Sequence, residues 1–307
     1  MKNRKKIAVS VGTSAFNEAN NIKNMLVSVL AQKEKNFVLK EILVVSDGSS
    51  DNTVAIAQSI KDKRIKIFND RKRFGQPSRI AQMLKTFKGD VFILIDSDMV
   101  MKNNLTIEKM VSKFRSDAET ALVCGETYPL TPRTFLEKAI NNYRYARTYL
   151  EHKNIFDFGK TAYSAHAFLA YSKKFARGLS IPHNVLNPDA FSYFACITNG
   201  YKQHYENRAV ALYSSPQNLK DHINQSIRHL AGGVQLYDYF GKKSVDAGFT
   251  VPSKIMIKIM LYQLRKNPLG YIFLKILNLY CGYKSRKGSK NLDIKWTTIT
   301  SSKMSVL

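Results

Sequence analysis

The chain has 307 residues, 44% of them hydrophobic and 23% charged, enough for one large domain with a sizeable core and too apolar for global disorder. Its 48 Lys and Arg against 23 Asp and Glu give a formal net charge of +25, which calls for an acidic partner: nucleic acid, an anionic membrane surface or a phosphorylated substrate. The three scattered cysteines, Cys124, Cys196 and Cys281, exclude a disulfide framework and suit a reducing, cytosolic setting, and without a run of about 18 apolar residues no spanning helix is expected.

The N-terminal MKNRKKIAVSV has only a short apolar part and no obvious cleavage site, so residues 5–12 read as a strand rather than a signal peptide. Residues 17–32 follow, with Ile22, Met25, Leu26, Val29 and Leu30 at the spacing of one helix face. Residues 41–46, EILVVS, form a continuous apolar run, as expected of a strand covered on both sides. Residues 51–62 read as a helix with Asp51 near its start, and RIKIFND, GQPSRIAQMLKTFKG and DVFILID repeat the alternation. This rhythm predicts an α/β fold with a mostly parallel sheet, whose ligands bind beyond the carboxyl ends of the strands.

Beyond residue 115 the pattern is irregular. Residues 121–128 suit a strand; 134–153 predict a long tyrosine-rich helix whose Tyr143, Tyr145 and Tyr149 serve as core and cover. Residues 187–202 predict a helix closed by Gly200, and 218–233 a helix ending at the pair Gly232-Gly233.

Three strand-to-helix junctions carry small and acidic residues: TSAFNEANNI at 13–22, VVSDGSSDNT at 44–53 and Asp96-Ser97-Asp98. Each alone could be a turn or a helix cap. Together, on one sheet edge, they describe a site. Asp-x-Asp at a strand end suits Mn²⁺ or Mg²⁺, which prefer oxygen ligands and share them with phosphates.

The set resembles the inverting family 2 glycosyltransferases. Ser14-Ala15-Phe16-Asn17-Glu18 stands where that family commonly has Pro-x-Tyr-Asn-Glu, and Asp47 to Thr53 matches its Asp-Gly-Ser-x-Asp-x-Thr. Gly75 to Ala81, with Arg79, loosely follows Gly-Lys-x-x-Ala, and Asp96-Ser97-Asp98 is the Asp-x-Asp. Further on, Asp189 precedes Gly200-Tyr201 by eleven residues, with Pro188 in place of the usual Glu. Gln225-Ser226-Ile227-Arg228-His229 resembles Gln-x-x-Arg-Trp, the Trp replaced by His229, which argues against long processive polymerisation.

The resemblance implies a GT-A fold over residues 1–240, with 1–115 the nucleotide-binding half and 116–240 the acceptor half. It implies inverting transfer of one sugar from a nucleotide diphosphate donor, with Asp189 as general base. Asp98 would be the principal ligand of Mn²⁺ or Mg²⁺, and Asp96 would lie near the ribose or metal. Asp47 would meet the nucleobase beside Phe16. Ser14, Glu18, Arg79, Gln225 and Arg228 complete the donor pocket. His166, His222 and His229 could approach the site or simply pack.

Residues 241–307 stand outside the resemblance. From Lys254 to Lys303 there are 11 Lys and Arg and one Asp, in apolar segments broken by single lysines. This predicts a basic amphipathic attachment to an anionic membrane, hence a peripheral position on the inner face of the cell membrane. The alternative is a helical hairpin packed on the domain.

The acceptor expected is a glycan or a lipid-linked glycan of the cell surface, with a polyprenyl phosphate as a further alternative. A nucleotidyltransferase would carry a Gly-rich phosphate loop, and no glycine follows Gly12 in the first junction. A nucleic-acid-binding protein would explain the charge but not the acidic strand ends, and no nucleic acid is expected. An inactive scaffold would not need Asp47, Asp96, Asp98 and Asp189.

Overall fold

The computed structural model describes residues 5–288. The first half follows the alternation: β1 (Ile7–Ala15), α1 (Ile22–Leu30), β2 (Phe37–Ser46), α2 (Thr53–Ser59), β3 (Ile65–Phe68), α3 (Gln76–Thr86) and β4 (Val91–Ile95). β1 pairs in parallel with β2 and β4, and β2 with β3. Thus the segment beginning at Ile7 is a central strand.

The irregular region resolves into β5 (Met99–Met101), α4 (Thr106–Ser116), β6 (Thr120–Pro129), α5 (Phe135–His152), β7 (Phe168–Ser172), α6 (Lys173–Gly178), α7 (Pro188–Thr198), β8 (Lys202–Tyr213) and α8 (Leu219–Phe240). α9 (Lys242–Phe249), α10 (Ser253–Lys266) and α11 (Pro268–Gly288) follow. The strand order is β3-β2-β1-β4-β7-β6-β8-β5. Only the half up to β4 is purely parallel; β7 runs antiparallel to β4 and β6, and β5 antiparallel to β8.

This order bends the sheet. β4 and β5 are joined by residues 96–98 alone, yet stand fourth and eighth in the order. Four strand spacings in a flat sheet would span ~19 Å, whereas the chain from residue 95 to 99 reaches at most ~14 Å. The sheet therefore curls, and Asp96-Ser97-Asp98 lies where it folds back.

Strand residues divide the core by alternation. Phe92 and Leu94 of β4 face one layer with Ile80, Met83 and Leu84 of α3 and Phe194 of α7. Ile93 and Ile95 face the other with Met25 and Leu26 of α1 and Met110 of α4. All five β4 residues are buried, which is why its sequence is continuously apolar.

Two helices depart from expectation. α8 does not stop at Gly232-Gly233 but runs to Phe240 and ends at Gly241, whose φ of 76° takes the left-handed stop. Gly232 is instead a close-packing residue: a Cβ there would lie 3.0 Å from the Asn187 Cβ. In α5 the tyrosines are not core. Tyr143, Tyr145 and Tyr149 lie on the outer side, while Arg144, Arg147 and Glu151 are buried.

Candidate active site

The first two junctions lock onto each other. Asn17, at φ 54°, donates its N–H to Ser49 Oγ at 3.1 Å and accepts from the Ser50 N–H at 2.8 Å. The Glu18 N–H donates to Thr53 Oγ1 at 2.7 Å and the Ala19 N–H to Asp51 Oδ2 at 3.1 Å. Asp51 also takes the Thr53 N–H at 3.0 Å, at the first residue of α2. The polar residues of DGSSDNT thus join two loops.

Asp47 is 5% exposed, at the end of β2. It accepts from the N–H groups of Phe74 at 2.8 Å and Gly75 at 3.1 Å and from Arg79 Nε at 3.0 Å. Gly48, at φ 74°, lets the backbone of Lys72 and Arg73 approach; a Cβ would lie 3.2 Å from the Arg73 nitrogen. Arg79 spends its whole guanidinium inside the protein, on Asp47, both oxygens of Asp70, the Lys72 carbonyl and Gln82. Five N–H donors are available and five partners are met, so Arg79 positions the 70–75 loop and has no donor left for a nucleotide. Direct donor contact by Arg79 is therefore corrected to a positioning role. Its neighbour Arg73, not singled out by the sequence, stacks its guanidinium 3.7 Å from the Phe16 ring centre and lies 4.0 Å from Asp47. Phe16, Asp47 and Arg73 form one aromatic and charged slot.

At the sheet closure, the buried Ser97 hydroxyl donates to the Ser14 carbonyl at 3.2 Å and pins the Asp-x-Asp turn to β1. Asp96 accepts from Gln76 Nε2, at the first residue of α3, at 2.9 Å. Gln76 stands where the resembling family has Lys, so α3 presents a neutral donor. Burial holds the Asp96 carboxyl well above the usual carboxylate range, helped by the negative charges of Asp98, Asp189 and Glu18 and opposed by Arg228. Glu18 is steadied by Asn21 Nδ2 at 3.0 Å.

The acceptor side comes from helices. Asp189 lies in the first turn of α7, behind Pro188. It is not a helix cap: its Oδ1 is buried and has no hydrogen-bond partner. Burial raises its carboxyl to about 7, with Arg228 pulling the other way. Burial likewise brings Arg228 down to about 9, against Asp96 and Asp189. Gln225 sits one turn earlier on α8. Asp189, Gln225 and Arg228 are part-buried, and the loss of surrounding water raises acids and lowers bases.

The histidines separate. His222 is buried and packs, its Nε2 3.4 Å from Ser226 Oγ. His229 is solvent-accessible on α8, its imidazole lowered to about 3 by desolvation of the ring and by Arg228 and His222. His166 is lowered to about 3 by burial and Arg147, so its Nε2 accepts from Arg144 at 2.9 Å. Arg144 also pairs with buried Glu126, which binds the Tyr205 hydroxyl. This ionic floor was missed. Arg144, Arg147 and Glu151 recur at i, i+3 and i+7, a spacing that reads as a solvated stripe until the helix is seen to turn it inward.

The residues fit a divalent cation. Asp96 and Asp98 supply carboxylate oxygens, and the surplus negative charge around Asp96 is what a cation would relieve. Among the described residues no three His, Cys, Asp or Glu form a cage. Mg²⁺ sites commonly have one or two carboxylates and are completed by substrate phosphates.

The sequence matches the family model described as glycosyl transferase family 2 over residues 10–179, which includes all three junctions. The chain belongs to glycosyl transferase family 2. Among curated relatives it is 31% identical over 191 residues to the O-antigen chain rhamnosyltransferase RfbN of Salmonella typhimurium, covering 60% of each chain. It is 30% identical over 113 residues to the poly-beta-1,6-N-acetyl-D-glucosamine synthase of Staphylococcus aureus, covering 36% of this chain and 26% of that one. The matched part is thus less than two thirds of either relative's length. Among solved structures, the mannosyltransferase PcManGT from Pyrobaculum calidifontis, in complex with GDP-Man and Mn²⁺, superposes with a TM-score of 0.63 at 14% identity, covering 94% of this chain and 88% of that one. Glucosyl-3-phosphoglycerate synthase from Mycobacterium tuberculosis, in complex with Mn²⁺, UDP and glucosyl-3-phosphoglycerate, gives a TM-score of 0.51 at 16% identity, covering 76% of this chain and 80% of that one. The fold of this family 2 chain is the GT-A fold.

Proposed function

We propose that the chain transfers one sugar from a nucleotide diphosphate sugar, with inversion, to a hydroxyl of a cell-surface glycan or lipid-linked glycan. The observation that carries this reading is the convergence of Asp96, Asp98 and Glu18 from strand ends with Asp189 and Arg228 from two helices in one shared charge field.

In this reading Asp47 and Phe16 hold the nucleoside, with Arg73 over the ring. Asp189 accepts the proton of the acceptor hydroxyl as its oxygen bonds to the anomeric carbon, and the bond from that carbon to the diphosphate breaks. Arg228 faces the leaving diphosphate and offsets its charge. A divalent cation held by Asp98 and Asp96 would neutralise the diphosphate as a leaving group. The mannosyltransferase complex with GDP-Man and Mn²⁺ supports donor and metal classes of this kind. The rhamnosyltransferase relative supports a surface-polysaccharide acceptor. The place of work would be the inner face of the cell membrane.

The test is calorimetric titration of a panel of nucleoside diphosphates, with and without Mn²⁺, into wild type and Asp98→Ala. Selective Mn²⁺-dependent binding lost in Asp98→Ala is expected. A folded wild type that binds no member of the panel would overturn the donor-site assignment.

A further inference from the structure

Helix α11 is apolar on two opposite sides. One side packs inward: Leu274, Leu277 and Cys281 are buried against Leu136 and Ala139 of α5 and Ile223 and Ile227 of α8. The other side is bare. Leu269 is 72% exposed, Ile272 52%, Ile276 65% and Leu279 75%. Their spacing of three, four and three residues aligns them in one stripe, about 160° around the helix from the buried side at about 100° per residue. A helix apolar on both faces is normally buried on both.

α10 continues the surface. Ile255 and Ile259 are buried, whereas Ile257 and Leu261, one turn apart, are 50% and 57% exposed. Between α10, α11 and α5 lies an open cleft of about 380 Å³, lined in part by Tyr143, Ile257, Met260, Tyr271 and Leu274.

The charges beside the stripe have one sign. From residue 247 to 288 there is no Asp or Glu. Lys254, Lys258, Arg265, Lys275, Lys284 and Arg286 are exposed on these two helices. Helical geometry places Lys275 and Arg286 on one flank of the stripe and Lys284 on the other. No described helix is long and apolar enough to cross a membrane. An exposed apolar ridge with cationic flanks matches an anionic bilayer surface, into which such a helix sinks to the acyl boundary while its cations meet the headgroups.

We propose that the exposed face of α10 and α11, centred on Leu269, Ile272, Ile276 and Leu279, docks flat on an anionic lipid surface. This rests on the membrane reading given above and assigns the face that does it. It also orients the site. α11 packs on Ile223 and Ile227 of α8, and Arg228 is the next residue, so the helix on which the lipid-facing α11 rests also carries the diphosphate-side cation. A lipid-linked acceptor would reach the cleft from the leaflet on which the enzyme lies.

The test is co-sedimentation of the full chain with phosphatidylcholine vesicles, pure or containing about one third phosphatidylglycerol. Wild type should bind the anionic vesicles at least about tenfold more tightly than the neutral ones. Ile276→Asp with Leu279→Asp should lose that binding, and Lys275→Glu with Lys284→Glu should weaken it, while both keep wild-type circular dichroism and nucleotide binding. Unchanged vesicle binding in both variants would overturn the proposal. So would a wild type that ignores vesicles but self-associates by light scattering through the same Ile276 and Leu279, since the stripe would then pair two copies. Nucleotide binding is read separately, so a failed donor site and a failed docking face give different results.

Discussion

Gln76 Nε2 donates to Asp96 Oδ1 at 2.9 Å, joining the start of α3 to the end of β4. The carboxylate it meets is repelled by Asp98, Asp189 and Glu18 and attracted by Arg228. Gln76→Ala should cost about 1 kcal/mol of stability, the net worth of such a bond. Urea unfolding should show that loss as a lowered midpoint, and Mn²⁺-dependent nucleotide binding should weaken several-fold in calorimetry.

Asp189→Asn keeps size and shape but cannot take a proton. On the proposed mechanism turnover should fall by about 10²–10⁴, the usual worth of general-base catalysis, with nucleotide affinity preserved. The pH profile gives a second check. With its carboxyl raised to about 7, Asp189 carries a proton below that pH and cannot accept another. The wild-type kcat/KM should therefore rise with pH through about 7 and then level. A flat profile across that range would remove Asp189 from the base role.

Arg79 is 4% exposed and satisfies Asp47 and Asp70 together. Arg79→Ala leaves the buried Asp47 carboxylate without its hydrogen-bonded cation, with the Arg73 guanidinium still 4.0 Å away, which should destabilise by about 3 kcal/mol. Arg79→Lys should not restore it, because one ammonium cannot reproduce a planar fork that meets five acceptors. Urea denaturation of both variants checks this.

Adjacent glycines in α8 should respond differently to an added methyl group. At Gly233 an added Cβ meets nothing within 4 Å, so Gly233→Ala should stabilise by about 0.5–1 kcal/mol through backbone entropy. At Gly232 the Cβ would press on Asn187 and Leu186, just before Asp189. Gly232→Ala should lower activity by displacing the start of α7 from α8, whatever the melting temperature does. Paired melting curves and rate measurements separate the two.

The strand-and-helix rhythm of residues 7–95 was legible because each element carries its own signal: one apolar face on α1, unbroken burial on β4. The acidic strand ends were legible for the same reason, since Asp96 directly follows the apolar run of β4, Asp98 stands two residues on, and Asp47 stands one serine beyond the apolar run of β2. Asp189 was singled out only through the family resemblance, by its spacing of eleven residues to Gly200-Tyr201. What lay outside local pattern was hidden. Arg144, Arg147 and Glu151 form a charged stripe that any exposed helix could carry, and only its packing over Glu126 and Tyr205 shows it to be buried. Gly232 looked like a stop because glycine serves both stops and close approaches, and only the neighbouring Asn187 distinguishes them.

The sequence by itself determined the elements of the first half and which residues stand at the sheet's carboxyl edge, because apolar periodicity and strand ends are properties of neighbouring residues. The tertiary structure alone decided what those residues meet. The curl that returns β5 to the far edge beside β8 brings the Asp-x-Asp turn toward two helices more than ninety residues later, and electrostatic coupling among Asp96, Asp189 and Arg228 depends on distance through space, which no local pattern encodes.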